Sequence, residues 1–246
     1  KELVLNLKRT SKEVFMPLDH PPGEAQVDYF QALTNINGVL QKVHCFAMSL
    51  PYSDMFFVKA YPRECTESFW DGHVGAFKFF GGVPNRISYD NSRIAIRQIT
   101  GCHKRVLTDG FLQLQSHYLF VPHFCTVRRA NEKGVVENIV RYARNNFMVP
   151  VPQVNSFDHL NVILWESCYN EQNRKLRGKG KTKLELWLED DQGFLDTPAI
   201  CISPCRKSTV TANSLSLVRY ASNDYSVPTR YAHHELTVKA YVDIIQ

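Results

Sequence analysis

The chain has 246 residues, of which 44% are hydrophobic and 22% charged, and its formal net charge at pH 7 is +5. These globular values exclude wholesale disorder and predict one large domain, or a medium domain followed by a small one. No apolar run reaches the roughly 18 residues of a spanning helix, and no apolar signal core opens the chain. We therefore expect no membrane partner, and the mild basicity is compatible with nucleic acid.

The cysteine pattern bears on the cellular location of the protein, and the first residue bears on whether the chain is a fragment. Seven cysteines form an odd, irregularly spaced set, which does not suit a disulfide framework. Reduced thiols fit an intracellular protein, so we expect a cytoplasmic location. The chain does not begin with Met, and we expect it to be a piece of a longer protein.

An antiparallel meander opens the pattern of predicted elements. Residues 1–20 predict a lead-in helix or linker, which the following prolines end. Residues 24–32 predict a strand, and the Asn37-Gly38 pair after it is a strong hairpin signal. Two further strands are expected over 39–49 and 55–60.

Helices and strands then alternate. Helical spacing over 64–80 ends at Gly81-Gly82, and Thr108 and Ser156 are candidate N-caps of later helices. The predicted elements are a helix over 64–80, a strand over 86–89, a helix over 108–117, a strand over 118–125, and helices over 131–147 and 156–173. This order predicts an α/β fold with a mixed sheet flanked by helices, the order of a ribonuclease H-like domain.

The composition changes after this region. Six of the ten residues from Arg174 to Lys183 are basic, a short helix is expected over 182–190, and Pro198 and Pro204 mark a linker. Apolar and polar residues alternate from Ser208 onward, which predicts a small all-β barrel domain. We expect a lead-in over 1–20, a ribonuclease H-like domain over 21–175, a basic segment with helix and linker over 176–204, and a truncated β-barrel over 205–246.

Three carboxylates stand out within the predicted α/β domain. Asp28 lies in the first strand, Asp90 ends the strand over 86–89, and Glu137 lies on the helix over 131–147. The fold predicts that the first and fourth strands are central neighbours with this helix beside them, so the three side chains could converge. Clustered carboxylates repel one another, and Mg²⁺ or Mn²⁺ relieves that repulsion. Two such ions support phosphoryl transfer on a nucleic-acid backbone.

The helix pattern supports Glu137. Val136, Val140, Ala143 and Phe147 form an apolar stripe, and Glu137, Arg141 and Arg144 follow one position later on its flank. Glu132 competes as third ligand but lies about 140° away around the helix. Each residue alone also has an ordinary interpretation: an edge-strand Asp28, a turn at Asp90-Asn91, and an i, i+4 pair of Glu137 with Arg141.

At these residues the chain resembles the retroviral-integrase superfamily of DDE transposases, and within it the IstA-type transposases of two-gene bacterial insertion sequences. The resemblance is carried by Gly23–Phe30, Tyr89-Asp90-Asn91, Asn131–Glu137, Arg177–Thr182 and Tyr225–Pro228, in that order. Phe30 departs from the small residue usual after the aromatic. Val135 stands where a basic residue is common.

The resemblance implies the following function. Asp28, Asp90 and Glu137 would be the catalytic residues and would bind two Mg²⁺ or Mn²⁺ ions for cleavage at element ends and transfer of the 3′ hydroxyl into target DNA. The implied partners are terminal inverted repeats, target DNA, further copies of the chain and an ATPase helper subunit. The implied location is the bacterial cytoplasm, with association with the nucleoid when bound.

Basic residues around these motifs are candidate DNA contacts because cations neutralise backbone phosphates. They are Lys104, Arg105, Arg128, Arg129, Lys133, Arg141, Arg144, Arg174, Lys175, Arg177, Lys179, Lys181 and Lys183. Lys104 and Arg105 are expected on a mobile loop, and a solvated surface is the alternative for the basic run.

Two other functions stay open. The first is a ribonuclease H-like nuclease, against which the C-terminal β domain and the 46 residues between Asp90 and Glu137 argue. The second is a non-catalytic DNA-binding relic of a transposase, against which the intact Asp–Asp–Glu set argues.

Overall fold

The computed structural model of the chain describes residues 20–100, 104–125, 134–176 and 178–246. The predicted lead-in helix falls outside this part, apart from residue 20. The helices are α1 (Thr66–Phe80), α2 (Asp109–Tyr118), α3 (Gly134–Phe147), α4 (Phe157–Asn170) and α5 (Lys183–Asp191). Within the described residues, every helix is too short or too polar to cross a bilayer.

The described strands divide into a main sheet, two short pairings (β4 with β10 and β6 with β7) and a C-terminal group, β11 to β14. Their bounds are β1 (Glu24–Ile36), β2 (Val39–Leu50), β3 (Met55–Tyr61), β4 (Val83–Pro84), β5 (Arg86–Tyr89), β6 (Ile96–Thr100), β7 (Lys104–Leu107), β8 (Val121–Phe124), β9 (Gln153–Val154), β10 (Phe194–Leu195), β11 (Arg206–Thr211), β12 (Leu217–Tyr220), β13 (Asn223–Ser226) and β14 (Glu235–Ala240).

The main sheet has the strand order β3-β2-β1-β5-β8, with β9 added beside the end of β1. The first three strands pair antiparallel through the Asn37-Gly38 turn, and β1, β5 and β8 pair parallel. The parallel strands are joined through α1 and α2, as parallel neighbours require a crossover connection. The predicted mixed sheet, with the first and fourth predicted strands adjacent, is confirmed.

Each face of the sheet is covered by a separate hydrophobic cluster. Val27 and Phe46 face a cluster with α1 and α2, and we call this side the α1 face. Phe30 and Ala47 face a cluster with α3 and α4, and we call this side the α3 face. Since successive side chains of a strand alternate between faces, residues 28, 30 and 32 of β1 belong to the α3 face.

Capping residues fix most helix ends where the sequence predicts them. Thr108 accepts the Phe111 N–H at 3.2 Å, Ser156 accepts the His159 N–H at 3.1 Å, and Gly81 adopts a left-handed conformation with φ of 80°.

The strand predicted over 24–32 extends to Ile36, and two further predicted boundaries were wrong by three residues. The predicted strand over 118–125 begins only at Val121, because α2 continues to Tyr118 and Leu119 closes it in a left-handed conformation. The predicted helix over 156–173 ends at Asn170, and a 3-10 turn follows over 171–173.

The segment between the predicted domains packs on the core. Leu186 of α5 is buried, and Phe194 of β10 pairs antiparallel with Pro84 of β4. Asp190 at the end of α5 accepts the Gly23 N–H at 2.9 Å, immediately before β1. This segment therefore stabilises the beginning of β1, the strand that carries Asp28.

The C-terminal residues are all-β, as predicted. β11 pairs with β14 and β12 with β13, both antiparallel, around buried Val218 and Val238. Arg206 reaches the core, where its guanidinium lies 3.2 Å from the Glu67 carboxylate of α1.

Substitution of Gly72 in α1 is expected to destabilise the fold. An added Cβ would lie 2.5 Å from the ring of Phe46, which is fully buried and enclosed by aromatic rings. We expect Gly72→Ala to lower the free energy of unfolding by about 1–3 kcal/mol, because overpacking outweighs the helix propensity of Ala. Urea unfolding of Gly72→Ala, Phe46→Leu and the double variant tests this. A double variant less destabilised than the two single changes combined would support a steric cause, and a stable Gly72→Ala would contradict it.

Candidate metal centre and nucleic-acid interface

Asp28 and Asp90 lie side by side on adjacent parallel strands. The register of β1 and β5 pairs Gln26 with Ser88 and Val27 with Tyr89. Continued by one residue, it brings Asp28 level with Asp90, which directly follows β5. Neighbouring strands are about 4.8 Å apart, so two carboxylates at equivalent positions can share a cation.

Both carboxylates belong to the α3 face. Asp28 precedes Phe30 by two residues, and Asp90 alternates in β5 with Ile87 and Tyr89, which lie in the cluster of the α1 face. One pair back along the strands, Ser88 Oγ and His123 Nδ1 of β8 are 3.2 Å apart. The α3 face is therefore polar across β1, β5 and β8, beside the cluster that α3 and α4 cover.

Backbone amides orient the two carboxylates. Asp28 Oδ1 accepts the N–H of Tyr29 at 2.9 Å, and Asp90 Oδ1 accepts the N–H of Asn91 at 2.7 Å. Asp28 is half-buried and Asp90 exposed, so both are accessible from the α3 face. The two side chains therefore present carboxylate oxygens, the ligands that small divalent cations prefer, to solvent.

Glu137 lies near the beginning of α3, and its side chain is exposed. Across the described ranges, no three His, Cys, Asp or Glu side chains come close enough together to hold a metal ion. Glu137 thus does not complete a cluster with Asp28 and Asp90 in this structure, and its role as third ligand stays a prediction. Glu132, the weaker candidate, lies outside the described residues.

The apolar stripe of α3 differs from the predicted one. Ile139 and Ala143 are buried, whereas Val140 and Phe147 are only partly buried. The helix is therefore turned so that Ile139 faces the sheet. This turn leaves Glu137 and the two arginines that follow it, Arg141 and Arg144, exposed.

Glu64 is a neighbouring carboxylate that the sequence did not single out. Burial raises the pKa of Glu64, and the nearby charge of Asp28 adds to this rise while His44 opposes it. Glu64 follows β3 in a loop, and no motif marks it. The rise therefore comes first from burial, and the charge of Asp28 makes a smaller contribution.

The donor set fits a small divalent cation. Asp28 and Asp90 offer hard carboxylate oxygens at one edge of an accessible face, and Mg²⁺ and Mn²⁺ prefer such ligands together with water. Two protein carboxylates are a usual number for Mg²⁺, which keeps several waters. The residues present therefore suit the predicted metal.

Among the predicted DNA contacts, Arg141, Arg144 and Lys175 are exposed, as are Arg174, Lys179 and Lys181 of the basic run. Arg141 donates to Asn138 Oδ1 at 2.8 Å, Arg144 lies 5.6 Å above the ring of Phe30, and Lys175 follows the 3-10 turn. Arg128, Arg129, Lys133 and Arg177 lie outside the described residues, and nothing is described of the Lys104 side chain.

Arg105 does not lie on the predicted loop. It belongs to β7, which forms an antiparallel hairpin with β6 that sequence reasoning missed. Its guanidinium donates to Asn91 Oδ1 at 2.8 Å and to the Cys125 carbonyl at 2.9 Å. These contacts direct Arg105 to the protein, which disagrees with its predicted role as a contact to DNA.

Much of the basic run stabilises the fold. Lys183 and Arg174 lie 3.2 Å and 3.3 Å from the Glu171 carboxylate, and Tyr142 Oη donates to Glu171 at 2.6 Å. Lys181 pairs with Glu189 at 2.6 Å, and Lys179 donates to the Tyr52 carbonyl. These cations attach α5 and the preceding turn to the core.

Lys183 is the clearest correction within this run. The residue is 4% exposed, its ammonium lies 4.7 Å from the ring centre of Phe56, and burial lowers its pKa. Its predicted role as a phosphate contact is therefore wrong for this structure, because the side chain does not reach solvent.

The different settings of Lys183 and Lys175 lead to opposite expectations. Lys183→Met should lower the free energy of unfolding by about 1–3 kcal/mol, because Glu171 loses a buried partner but keeps two others. Lys175→Met should leave stability within about 0.5 kcal/mol and weaken DNA binding. Thermal unfolding and DNA titration of both variants test this. Weaker DNA binding by a folded Lys183→Met variant would contradict the assignment.

The fold of this chain is similar to the folds of solved structures. The strand order and the helices on both faces define a ribonuclease H-like α/β fold of the integrase-core class. A chain of the simian T-cell lymphotropic virus intasome in complex with PP2A regulatory subunit B56 gamma has this fold, with a TM-score of 0.50, 12% identity, and coverage of 96% of this chain and 84% of that chain. The HTLV-2 integrase catalytic core domain in complex with magnesium gives a TM-score of 0.44 at 16% identity, over 68% of this chain and 96% of that one.

The chain is also similar in sequence to curated transposases. A transposase of Aminobacter aminovorans is 32% identical over 96% of this chain and 47% of its own length. The Pseudomonas aeruginosa transposase for IS1326/IS1353 is 30% identical over 95% of this chain and 46% of its own. The IS21 transposase of Pseudomonas aeruginosa is 28% identical over 96% and 60%.

Over nearly its whole length, the chain is similar to transposases of bacterial insertion sequences, among them those of IS1326/IS1353 and IS21. Residues 197–246 match the family model "Mu transposase, C-terminal domain". The chain spans about half the length of the curated relatives it matches.

The sequence did not predict several contacts of the site. These are the contact of Ser88 with His123 and the side-chain hydrogen bonds of Asn91 to the Cys125 carbonyl and to Arg105. One signal was available. Gln26 and Asp28 alternate with Val27, and Ser88 and Asp90 alternate with Tyr89. Two neighbouring strands with polar residues in the same phase predict a polar face.

Proposed function

We propose that the chain is the catalytic part of a DNA transposase that cuts DNA at the ends of an insertion sequence and joins the 3′ hydroxyl to target DNA. The observation that carries the proposal is the register that brings Asp28 level with Asp90 on an accessible face. The similarity to insertion-sequence transposases and the integrase-core fold support it.

Asp28, Asp90 and Glu137 are the residues that would hold the metal ions, two Mg²⁺ or Mn²⁺ in the full proposal. Bound there, the metal supplies activation of an attacking oxygen and neutralisation of charge on the phosphate. The amides of Tyr29 and Asn91 orient the carboxylates, which reduces the rearrangement needed when the site forms. Arg141 and Arg144 are exposed at successive turns after Glu137, where they can contact the phosphates on either side of the scissile bond.

The remaining parts of the proposal concern partners and organisation. Terminal inverted repeats and target DNA would be bound by a homo-oligomer, with an ATPase helper subunit selecting the target, in the cytoplasm and on the nucleoid. We propose the domain limits given above, with catalysis assigned to residues 21–175. DNA contacts are proposed for the exposed cations Arg174, Lys175, Lys179 and Lys181. They are also proposed for Lys104, Arg128, Arg129, Lys133 and Arg177.

A strand cleavage and joining assay tests the function. The full-length protein containing this chain is incubated with labelled terminal-repeat DNA and Mg²⁺, Mn²⁺, Ca²⁺ or EDTA. We expect cut and joined products with Mg²⁺ or Mn²⁺ only. Cleavage of RNA–DNA hybrids in preference to DNA would support the nuclease alternative. DNA binding without products, even with the helper ATPase added, would support the non-catalytic relic.

A further inference from the structure

The hydrogen bonds of Arg105 converge on the residue next to Asp90. Arg105 Nε donates to Asn91 Oδ1 at 2.8 Å, and Arg105 Nη2 donates to the Cys125 carbonyl at 2.9 Å. Asn91 Nδ2 donates to the same carbonyl at 3.1 Å. One guanidinium, one amide and one carbonyl thus form a closed triangle, which we call the Asn91 clamp.

The Asn91 clamp joins three elements at the candidate site. Asn91 follows the end of β5, Cys125 follows the end of β8, and Arg105 belongs to the β6–β7 hairpin between them in sequence. The last bond between β5 and β8 runs from the Cys125 N–H to the Tyr89 carbonyl at 3.0 Å. The clamp therefore continues the pairing of the two strands past their ends, directly beside Asp90.

The clamp also requires the shape of an arginine. A guanidinium donates in two directions from a fixed plane, which an ammonium cannot do. The guanidinium of Arg105 lies 5.7 Å from the ring centre of Phe124, the residue before Cys125, so it also packs along the end of β8. The side chain is half-buried and its bonds run to protein atoms.

We propose that Arg105 is a positioning residue for Asp90, acting through Asn91 and the Cys125 carbonyl rather than through contact with DNA. This inference rests on the proposed function, because it assumes that Asp90 holds a metal ion. Loss of the clamp would free the segment after β5 and let the Asp90 carboxylate move away from Asp28. A displacement of about 1 Å in a catalytic group can cost roughly 100-fold in rate.

The test compares Arg105→Gln, Arg105→Lys and Asn91→Ala with Arg97→Gln in the full-length protein. Arg97 is the matched control, since it lies on the same hairpin, is 66% exposed and lies 3.5 Å from Asp109. Three quantities are measured: Mn²⁺ affinity by electron paramagnetic resonance without DNA, DNA affinity, and the single-turnover cleavage rate. Thermal unfolding checks that each variant is folded.

We expect all three clamp variants to bind Mn²⁺ at least about fivefold more weakly and to cut at least about 10-fold more slowly, with DNA affinity within about twofold of wild type. Arg105→Lys should not restore Mn²⁺ affinity or the cleavage rate. Its ammonium keeps the positive charge but cannot donate in two directions from a fixed plane as the guanidinium does. The Arg105→Gln and Asn91→Ala effects should be less than additive in the double variant. If Arg105→Gln does not fold, Arg105→Lys and Asn91→Ala give the same test.

Two results would overturn the inference: weakened DNA binding with unchanged Mn²⁺ affinity, or full rescue by Arg105→Lys. Asp90→Asn, measured alongside, separates this inference from the proposed function. If Asp90→Asn cuts normally, the proposed site fails. If Asp90→Asn is inactive while the clamp variants match wild type in Mn²⁺ affinity and rate, the positioning role alone fails.

Discussion

Asp28→Asn and Asp90→Asn should each reduce metal-dependent DNA cutting by at least about 10³-fold, an effect of several kcal/mol on the barrier. The reason is that each would remove a charge proposed to hold the metal ions. Single-turnover assays with labelled DNA ends measure the loss. The two losses should be strongly non-additive, since both residues serve one site.

The fold should survive both substitutions. Each aspartate uses Oδ1 to accept a backbone N–H, from Tyr29 and Asn91 respectively, and an asparagine oxygen can accept the same bond. DNA affinity and thermal unfolding should therefore remain near wild type. Asp109→Asn is the matched control, because the Asp109 side chain is 86% exposed on α2 and should be neutral in every assay. Normal cutting by either asparagine variant would reject the site.

The second large effect concerns pH and His73. This histidine of α1 is fully buried beneath the end of β5, where Nδ1 donates to the Phe69 carbonyl at 2.7 Å and the Tyr89 hydroxyl donates to Nε2 at 2.9 Å. Burial lowers the pKa of His73 to about 3, so the ring is neutral in the folded protein. An unfolded histidine titrates near 6.5, so the unfolded chain binds an extra proton between these two values.

The contribution of His73 to stability is therefore fully present above pH 6.5 and falls as the pH drops towards 3. Each pH unit within this window costs about 1.4 kcal/mol, or about 3 kcal/mol between pH 6.5 and 4.5. Urea unfolding across this range measures the slope. Carboxylates also titrate there, so the wild type is compared with a double variant, His73→Phe with Tyr89→Phe, that replaces both partners by apolar rings.

The double variant should lose most of this slope between pH 6.5 and 4.5. His73→Phe alone should be less stable than the double variant, because it leaves the buried Tyr89 hydroxyl without its partner. A wild-type slope equal to that of the double variant would show that His73 does not contribute as described.

The main sheet was predictable because its signals are local. The Asn37-Gly38 turn fixes the register of β1 and β2, and the alternation of Val27 with Asp28 assigns each to its face. Thr108 and Ser156 were predictable as N-caps because they directly precede apolar helical patterns. The adjacency of β1 and β5 then followed from the element order.

The β6–β7 hairpin and the Asn91 clamp were not predictable in the same way. Arg105 appears in the sequence as one cation near another, and only the folded hairpin directs its guanidinium to Asn91 and Cys125. Charge alone does not distinguish a cation that binds phosphate from one that holds a strand end.

The basic run shows the same limit over a longer distance. Glu171 precedes the run, and the 3-10 turn with the start of α5 brings Lys183 back onto it. The aromatic rings that bury Lys183 include the ring of Phe56, which lies more than 100 residues earlier in the chain. A composition-based prediction of DNA contact cannot include such a tertiary contact.

The most direct test of the account is to locate Mn²⁺ by anomalous scattering in crystals of the protein grown with MnCl₂. The account predicts an anomalous peak at the α3 face, with carboxylate oxygens of Asp28 and Asp90 at bonding distance, about 2.1 Å for a small divalent cation. The peak should disappear in Asp90→Asn crystals grown under the same conditions. A peak bound by other residues, or none at saturating Mn²⁺, would contradict the assignment of Asp28 and Asp90 as the metal centre.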